Sequence, residues 1–192
     1  MKTIEEKAAL SKWFSAEANW FVLFVQTKSE VAVAERLQKR LDPELFTAFV
    51  PTKDYARRLK GQVTTNRLPW LNGYVFIVTM ATPEECLRVV KPLVYYDSNV
   101  YKFLSNGGQL ELSEHDRRIM TALLDESFNI PAFEAVRIGD LVKVTDGVLK
   151  GIGARVVRVN KHRQTAVIEV GLMRRMVEIE VMLEYLLTVM PQ

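Results

Sequence analysis

The chain has one cysteine, Cys86, and two histidines, His115 and His162. A lone cysteine excludes an intramolecular disulfide and any cysteine-rich zinc site, and two scattered histidines make a structural metal unexpected. No stretch approaches the roughly 18 uninterrupted apolar residues of a membrane-spanning helix. The opening Met1-Lys2-Thr3-Ile4-Glu5-Glu6-Lys7 carries acids where a secretory leader is basic, and no apolar core follows. A cytoplasmic location, away from the membrane, is the expectation. The sequence also lacks a P-loop, a G-x-G-x-x-G turn and a Ser/His/Asp set in credible context. His115 precedes Asp116 on a helix expected to be exposed, His162 sits in a basic turn, and Cys86 reads as a small buried hydrophobe. No catalytic residue, metal or cofactor is expected, and there are no internal repeats.

What is there is ordinary globular material, 48% hydrophobic and 26% charged, in 192 residues that suit two small domains. The charge is unevenly placed. Nine bases and three acids lie between Arg137 and Arg175, leaving +6 on that segment and −3 on the rest of a chain of net charge +3. Such a concentration of positive charge points to a polyanionic partner for one end of the molecule.

Residues 1–19 read as a partly helical extension. Trp20-Phe21-Val22-Leu23-Phe24-Val25 is apolar on both alternating faces, as in a central strand covered twice. Thr27-Lys28-Ser29-Glu30 has the form of a capping box, and Val33, Leu37 and Leu41 form the apolar stripe of the helix behind it, stopped by Asp42-Pro43. A second strand is expected over Leu45–Pro51. A basic hairpin or loop follows from Lys53 to Arg67, turning at Gly61-Gln62. A third strand covers Tyr74–Met80. Thr82-Pro83-Glu84-Glu85 caps another helix, ending near Lys91-Pro92, and a fourth strand covers Val100–Leu104. This β-α-β-β-α-β order is that of a ferredoxin-like split unit. A last helix runs from Ser113 to Glu126, with Ile119, Met120, Leu123 and Leu124 on one side. Beyond a linker at 127–134, centred on Asn129–Ala132, short β-rich runs at Leu141–Val144, Arg155–Val159, Thr165–Val170 and Met176–Val181 indicate a small five-stranded barrel. The fold class is α+β, in two domains at 20–126 and 135–192 joined by a flexible linker.

Three segments resemble the NusG family of transcription elongation factors. They are Trp20-Phe21-Val22 with Glu30, Pro69-Trp70-Leu71-Asn72-Gly73-Tyr74-Val75-Phe76, and the KOW-like Gly139-Asp140-Leu141-Val142-Lys143-Val144-Thr145-Asp146-Gly147 with Lys150-Gly151. The resemblance implies an N-terminal (NGN) domain that binds the clamp helices of the largest RNA polymerase subunit, followed by a KOW barrel. The polymerase-binding positions it implies are Phe24, Trp70, Leu71, Tyr74 and Phe103, with Phe24, Leu71 and Tyr74 forming an exposed apolar patch. Asn72 replaces the proline of the family pattern and Leu71 an aromatic. In the KOW stretch the glycine that the family has at the position of Ala154 stands at Gly153, so a different local turn is expected.

A second departure bears on function. The loop that in the general factor carries Phe-Gly-Arg is here Val170-Gly171-Leu172-Met173-Arg174-Arg175, without an aromatic and with two arginines, whose guanidinium forks suit phosphates and guanine edges. With the opening Trp-Phe-Val-Leu-Phe-Val-Gln-Thr, this resembles the LoaP-type specialised antiterminators, whose KOW domain is thought to bind an RNA hairpin. The expected RNA-binding face is Lys143, Lys150, Arg155, Arg158, Lys161, Arg163, Arg174 and Arg175. The expected partners of a monomer are RNA polymerase and nascent RNA, in a transcription elongation or antitermination role whose sense, antitermination or pausing, the sequence leaves open. Val156, Val157, Val159, Val167, Ile168 and Val170 favour strands, so the KOW domain is expected to stay a barrel and not refold as a helical hairpin. Two alternatives remain, a general housekeeping NusG and an RNA-recognition fold with Asn72-Gly73-Tyr74-Val75-Phe76-Ile77-Val78 as its aromatic motif.

Overall fold

The computed structural model describes residues 12–59, 62–105, 108–138, 141–145 and 147–189. Residues 1–11 of the expected extension, Gly61 of the expected hairpin turn, and Gly139, Asp140 and Asp146 of the KOW-like stretch lie outside the described residues. Two compact units are formed, one from residues 1–51, 69–117 and 126–128, the other from 52–68, 118–125 and 129–192. In chain order, β1 (Asn19–Val25), α1 (Glu30–Gln38) and β2 (Phe46–Phe49) belong to the first unit. The hairpin strands β3 (Thr52–Leu59) and β4 (Gln62–Pro69) fall almost wholly in the second. The first is completed by β5 (Tyr74–Thr79), α2 (Pro83–Tyr95) and β6 (Val100–Phe103).

These elements give a four-stranded antiparallel sheet of order β2-β5-β1-β6, the split β-α-β arrangement expected from the sequence. One face is covered by helices: Phe21, Leu23 and Val25 of β1 join Val75 and Ile77 of β5 in a core with Val33, Leu37, Leu41, Cys86 and Val90. Burial in this core pushes the Cys86 thiol pKa up to about 12. The other face carries Trp20, Val22 and Phe24 beside their partners Val78, Phe76 and Tyr74. At the Trp20 end an aromatic cluster closes this face. Phe49 lies 5.5 Å from Trp20 and stacks on Phe128 at 3.7 Å, and Phe14 stacks on Phe128 at 5.5 Å. The short 3-10 turn Lys12–Phe14 is held there, with the Trp20 indole donating to the Trp13 carbonyl.

Two helix ends differ from expectation. Thr27 does not open α1: Ser29 occupies the N-cap without a side-chain bond, and the Glu30 carboxylate is buried and accepts from the Gly73 N–H at 2.6 Å. A long-range partner has taken the side chain that a local capping box would use. At Thr82 the box does form, the hydroxyl accepting from the Glu85 N–H and the Glu85 carboxylate from the Thr82 N–H. Its helix continues past Lys91-Pro92 to Tyr95, because partly buried Leu93 and Val94 pack on the core and hold the last turn despite the missing proline N–H.

The second unit contains β7 (Asn129–Ile130), β8 (Phe133–Ile138), β9 (Leu141–Val144), the single turn α4 (Val148–Gly151), β10 (Arg155–Asn160), β11 (Thr165–Leu172) and β12 (Arg175–Val189). The helix α3 (Glu114–Leu123) precedes them and spans the boundary of the two units. Strand order is β10-β11-β12-β8-β9. β12 is long enough to pair antiparallel with β11 through its first half and parallel with β8 through its second, and this double pairing rolls the sheet into a nearly closed five-stranded barrel. Phe133, Ala135, Ile168, Val170, Leu172, Ile179, Val181 and Leu183 are buried. In the segment expected to link the domains, β7 pairs with β3, and buried Asn129 is bonded on every side, its side chain accepting from Thr52 and donating to Asp54 and its backbone N–H donating to the Asp125 carboxylate.

Replacing Thr82 by Ala should cost about 1 kcal/mol of stability in urea unfolding, the loss of one helix cap. The N–H and hydroxyl of Thr82 hold the Glu85 carboxyl below its ordinary pKa. A depressed carboxylate stabilises at neutral pH and loses that contribution as pH falls through its folded pKa. The difference between wild type and Thr82→Ala should therefore narrow in acid.

Candidate functional site

Beyond the aromatic cluster, the far end of the same sheet face is open. Phe24 and Tyr74 are half-buried, their rings 5.7 Å apart, and Tyr101 is 58% exposed with its ring 5.3 Å from Phe24. Tyr74 is placed by the turn before it. Gly73 has φ +82°, and a Cβ there would stand 3.4 Å from the Phe24 ring. The Gly73 carbonyl accepts from the Val25 N–H while its own N–H is taken by Glu30. A buried carboxylate, a glycine and two backbone bonds thus fix Tyr74 beside Phe24.

The remaining expected contact residues divide. Leu71, expected at the surface, is only 5% exposed and packs as core. Phe103 pairs with Leu23 and so lies on the helix-covered face, away from Phe24. Trp70 is half-buried, its N–H donating to the Pro51 carbonyl. Tyr101 takes the place that the sequence pattern gives to Phe103. A bulge between Phe24 and Val25 sets two residues of β6 against one step of β1, which turns Tyr101 toward Phe24. Period-two alternation alone cannot reveal such a bulge, so no sequence signal pointed to Tyr101.

On the barrel, Lys143, Lys150, Arg155, Arg158, Lys161, Arg163, Arg174 and Arg175 are all exposed, yet they do not form one face. Lys161 and Arg163 occupy the β10–β11 turn, Arg174 and Arg175 the β11–β12 turn, at opposite ends of an eight-residue strand. At about 3.3 Å per residue this separates the two groups by roughly 23 Å. Between them the surface is of mixed sign. Arg155 donates to Glu169 at 2.6 Å, Glu169 stands opposite Glu178, and Val167 beside Arg158 stands opposite Glu180. The +6 counted over residues 137–175 stops short of these two β12 glutamates. Met173 and Arg174 both have positive φ, +50° and +62°, as a two-residue hairpin turn demands of residues for which it is unfavourable. Gly153, at φ +66°, supplies the left-handed residue after buried Leu149 and Ile152.

A sequence profile described as transcription termination factor NusG matches residues 18–121, more than half of the chain. The chain belongs to the NusG family. The match covers the split β-α-β unit and ends within α3. No curated protein sequence matches. A solved structure titled "Domain interaction in Thermotoga maritima NusG" is similar in fold, with a TM-score of 0.52 at 19% identity, over 86% of this chain and 93% of that one. Its overlap extends past residue 121 into the barrel, where the profile does not reach. The RNA-recognition alternative gives way to the family match, and of the sheet face such modules use for bases the Trp20 end is here filled by Trp20, Phe49 and Phe128. Among the described residues no group of three or more His, Cys, Asp and Glu is placed to hold a metal ion, and no helix is long and apolar enough to cross a membrane.

Because Leu71 is core and not contact surface, Leu71→Asp should destabilise the first unit by roughly 3 kcal/mol or more through burial of an unpaired charge. Thermal unfolding of the variant checks this. A normal melting temperature would return Leu71 to the surface.

Proposed function

We propose that this chain is a specialised NusG-type elongation and antitermination factor, acting as a cytoplasmic monomer. In this reading residues 20–126 grip the clamp helices of the largest RNA polymerase subunit through Phe24, Tyr74 and Tyr101, with Trp70 at the margin. The observation that carries it is the open end of an otherwise covered sheet face in a NusG-family chain. Aromatic rings that stay half-wet where their neighbours are sealed are suited to a protein partner. Residues 135–192 are assigned the nascent RNA, bound as a hairpin at Arg174 and Arg175. Both arginines are exposed at the tip of the β11–β12 turn, which has no aromatic side chain to offer a protein. The general housekeeping reading would need that aromatic.

Two measurements test these assignments. Tyr74→Ala with Tyr101→Ala should weaken binding to purified RNA polymerase by roughly tenfold or more, the scale of losing two anchors, with the melting temperature little changed. Undiminished binding would exclude the patch. Arg174→Ala with Arg175→Ala should reduce crosslinking of hairpin RNA in the elongation complex and lower the log–log salt slope by about 0.9 per lost phosphate contact. An unchanged slope together with unchanged crosslinking would remove the RNA role from this turn.

A further inference from the structure

At the opposite end of β11 from Arg174 and Arg175, the second unit holds a cleft of about 350 Å³ between the start of β3, the β10–β11 turn and the middle of β12. Its size falls in the range of small-ligand sites. Its walls combine an aromatic ring, cations and two carboxylates, of which Asp54 already accepts from the Asn129 side-chain amide at 3.0 Å. Tyr55 offers an aromatic ring, 45% exposed. His162 and Arg163 are exposed donors on the turn, and Lys53 adds an ammonium. Glu180 supplies a fixed acceptor, since Thr165 donates to its carboxylate at 3.3 Å and Lys53 to its backbone carbonyl at 2.9 Å. The turn itself is set by the Arg163 N–H on Asn160 and by Gln164 at φ +53°.

An aromatic face, cations and an oriented carboxylate are the complement of one nucleotide. The base stacks on the ring, the phosphate meets the cations, and an exocyclic amino group donates to the carboxylate. We infer that this cleft takes a single unpaired nucleotide of RNA, with preference for a base that carries an amino group. The inference rests on the RNA-binding reading above and adds a second contact to it, roughly 23 Å along β11 from the arginine turn. An RNA held at both points presents a stem at one end of the barrel and an unpaired flank at the other. Paired bases cannot stack on Tyr55, so the cleft reads only what the stem leaves single-stranded.

The test uses the full chain and fluorescein-labelled single-stranded heptamers, all-uridine or with a central guanosine or cytidine, measured by anisotropy at near-physiological salt. Tyr55→Ala should weaken binding of the guanosine or cytidine heptamer by roughly tenfold. Tyr55→Phe should bind normally, and Glu180→Gln should erase the preference over all-uridine. Arg174→Ala with Arg175→Ala should leave the preference over all-uridine intact. Equal affinity of wild type and Tyr55→Ala would overturn the inference, as would a preference over all-uridine that depends on Arg174 and Arg175, or tighter binding of the same sequence as DNA or as free nucleotide. Hairpin binding without heptamer binding would sink the cleft alone. Heptamer binding that needs Tyr55, with no hairpin binding, would sustain the cleft and remove the hairpin assignment.

Discussion

Strand β1 buries side chains on both faces, and a sheet built around such a strand has to be covered twice. Helices α1 and α2 supply one cover over Phe21, Leu23 and Val25. The second cover is assembled from separate pieces of chain: Phe14 ahead of β1, Phe49 at the end of β2, and Phe128 after α3. Arg117 ties the residues leading into β1 by donating to the carbonyls of Ala16 and Ala18. Because these pieces reach only the Trp20 end, the Phe24 end is left for something else. The candidate contact surface is defined by where the aromatic cover stops, and Gly73 and Glu30 then determine how Tyr74 sits within it.

Much of this was legible from residue patterns that work locally. The double-faced β1, the apolar stripe of Val33, Leu37 and Leu41, the Thr82 capping box and the short β-runs of the barrel each depend on neighbours within a few positions. What was not legible depends on distant partners. Glu30 has the spacing of a capping residue and is claimed instead by a backbone N–H 43 positions away. Tyr101 and Phe103, which plain alternation would put on one face, lie on opposite faces because of a bulge that exists only once β1 and β6 pair. Leu71 follows Trp70 in a turn whose burial is a tertiary fact.

The charge pattern of the barrel shows the same difference between chain order and space. Counted along the sequence, the basic segment ends at Arg175. In the sheet, β12 returns alongside β11 and sets Glu178 and Glu180 across from Glu169 and Val167. Exposed pairs such as Arg155 with Glu169 contribute little to stability, but they neutralise the middle of the barrel wall. Positive charge is left at the two ends of β11 and does not form one broad basic face.

The β11–β12 turn has a consequence of a different kind. An Asn-Gly pair would close such a turn without strain, whereas each side chain with a Cβ gives up about 1–2 kcal/mol to adopt the left-handed conformation. Met173 and Arg174 both do so, at the tip of the ladder that joins β11 to the barrel's longest strand. Local opening begins where the native arrangement holds least advantage over its alternatives, and here that place coincides with the arginines. Directly below the tip, Leu172 and Arg175 are paired. The barrel thus combines a fully paired wall with one strained corner.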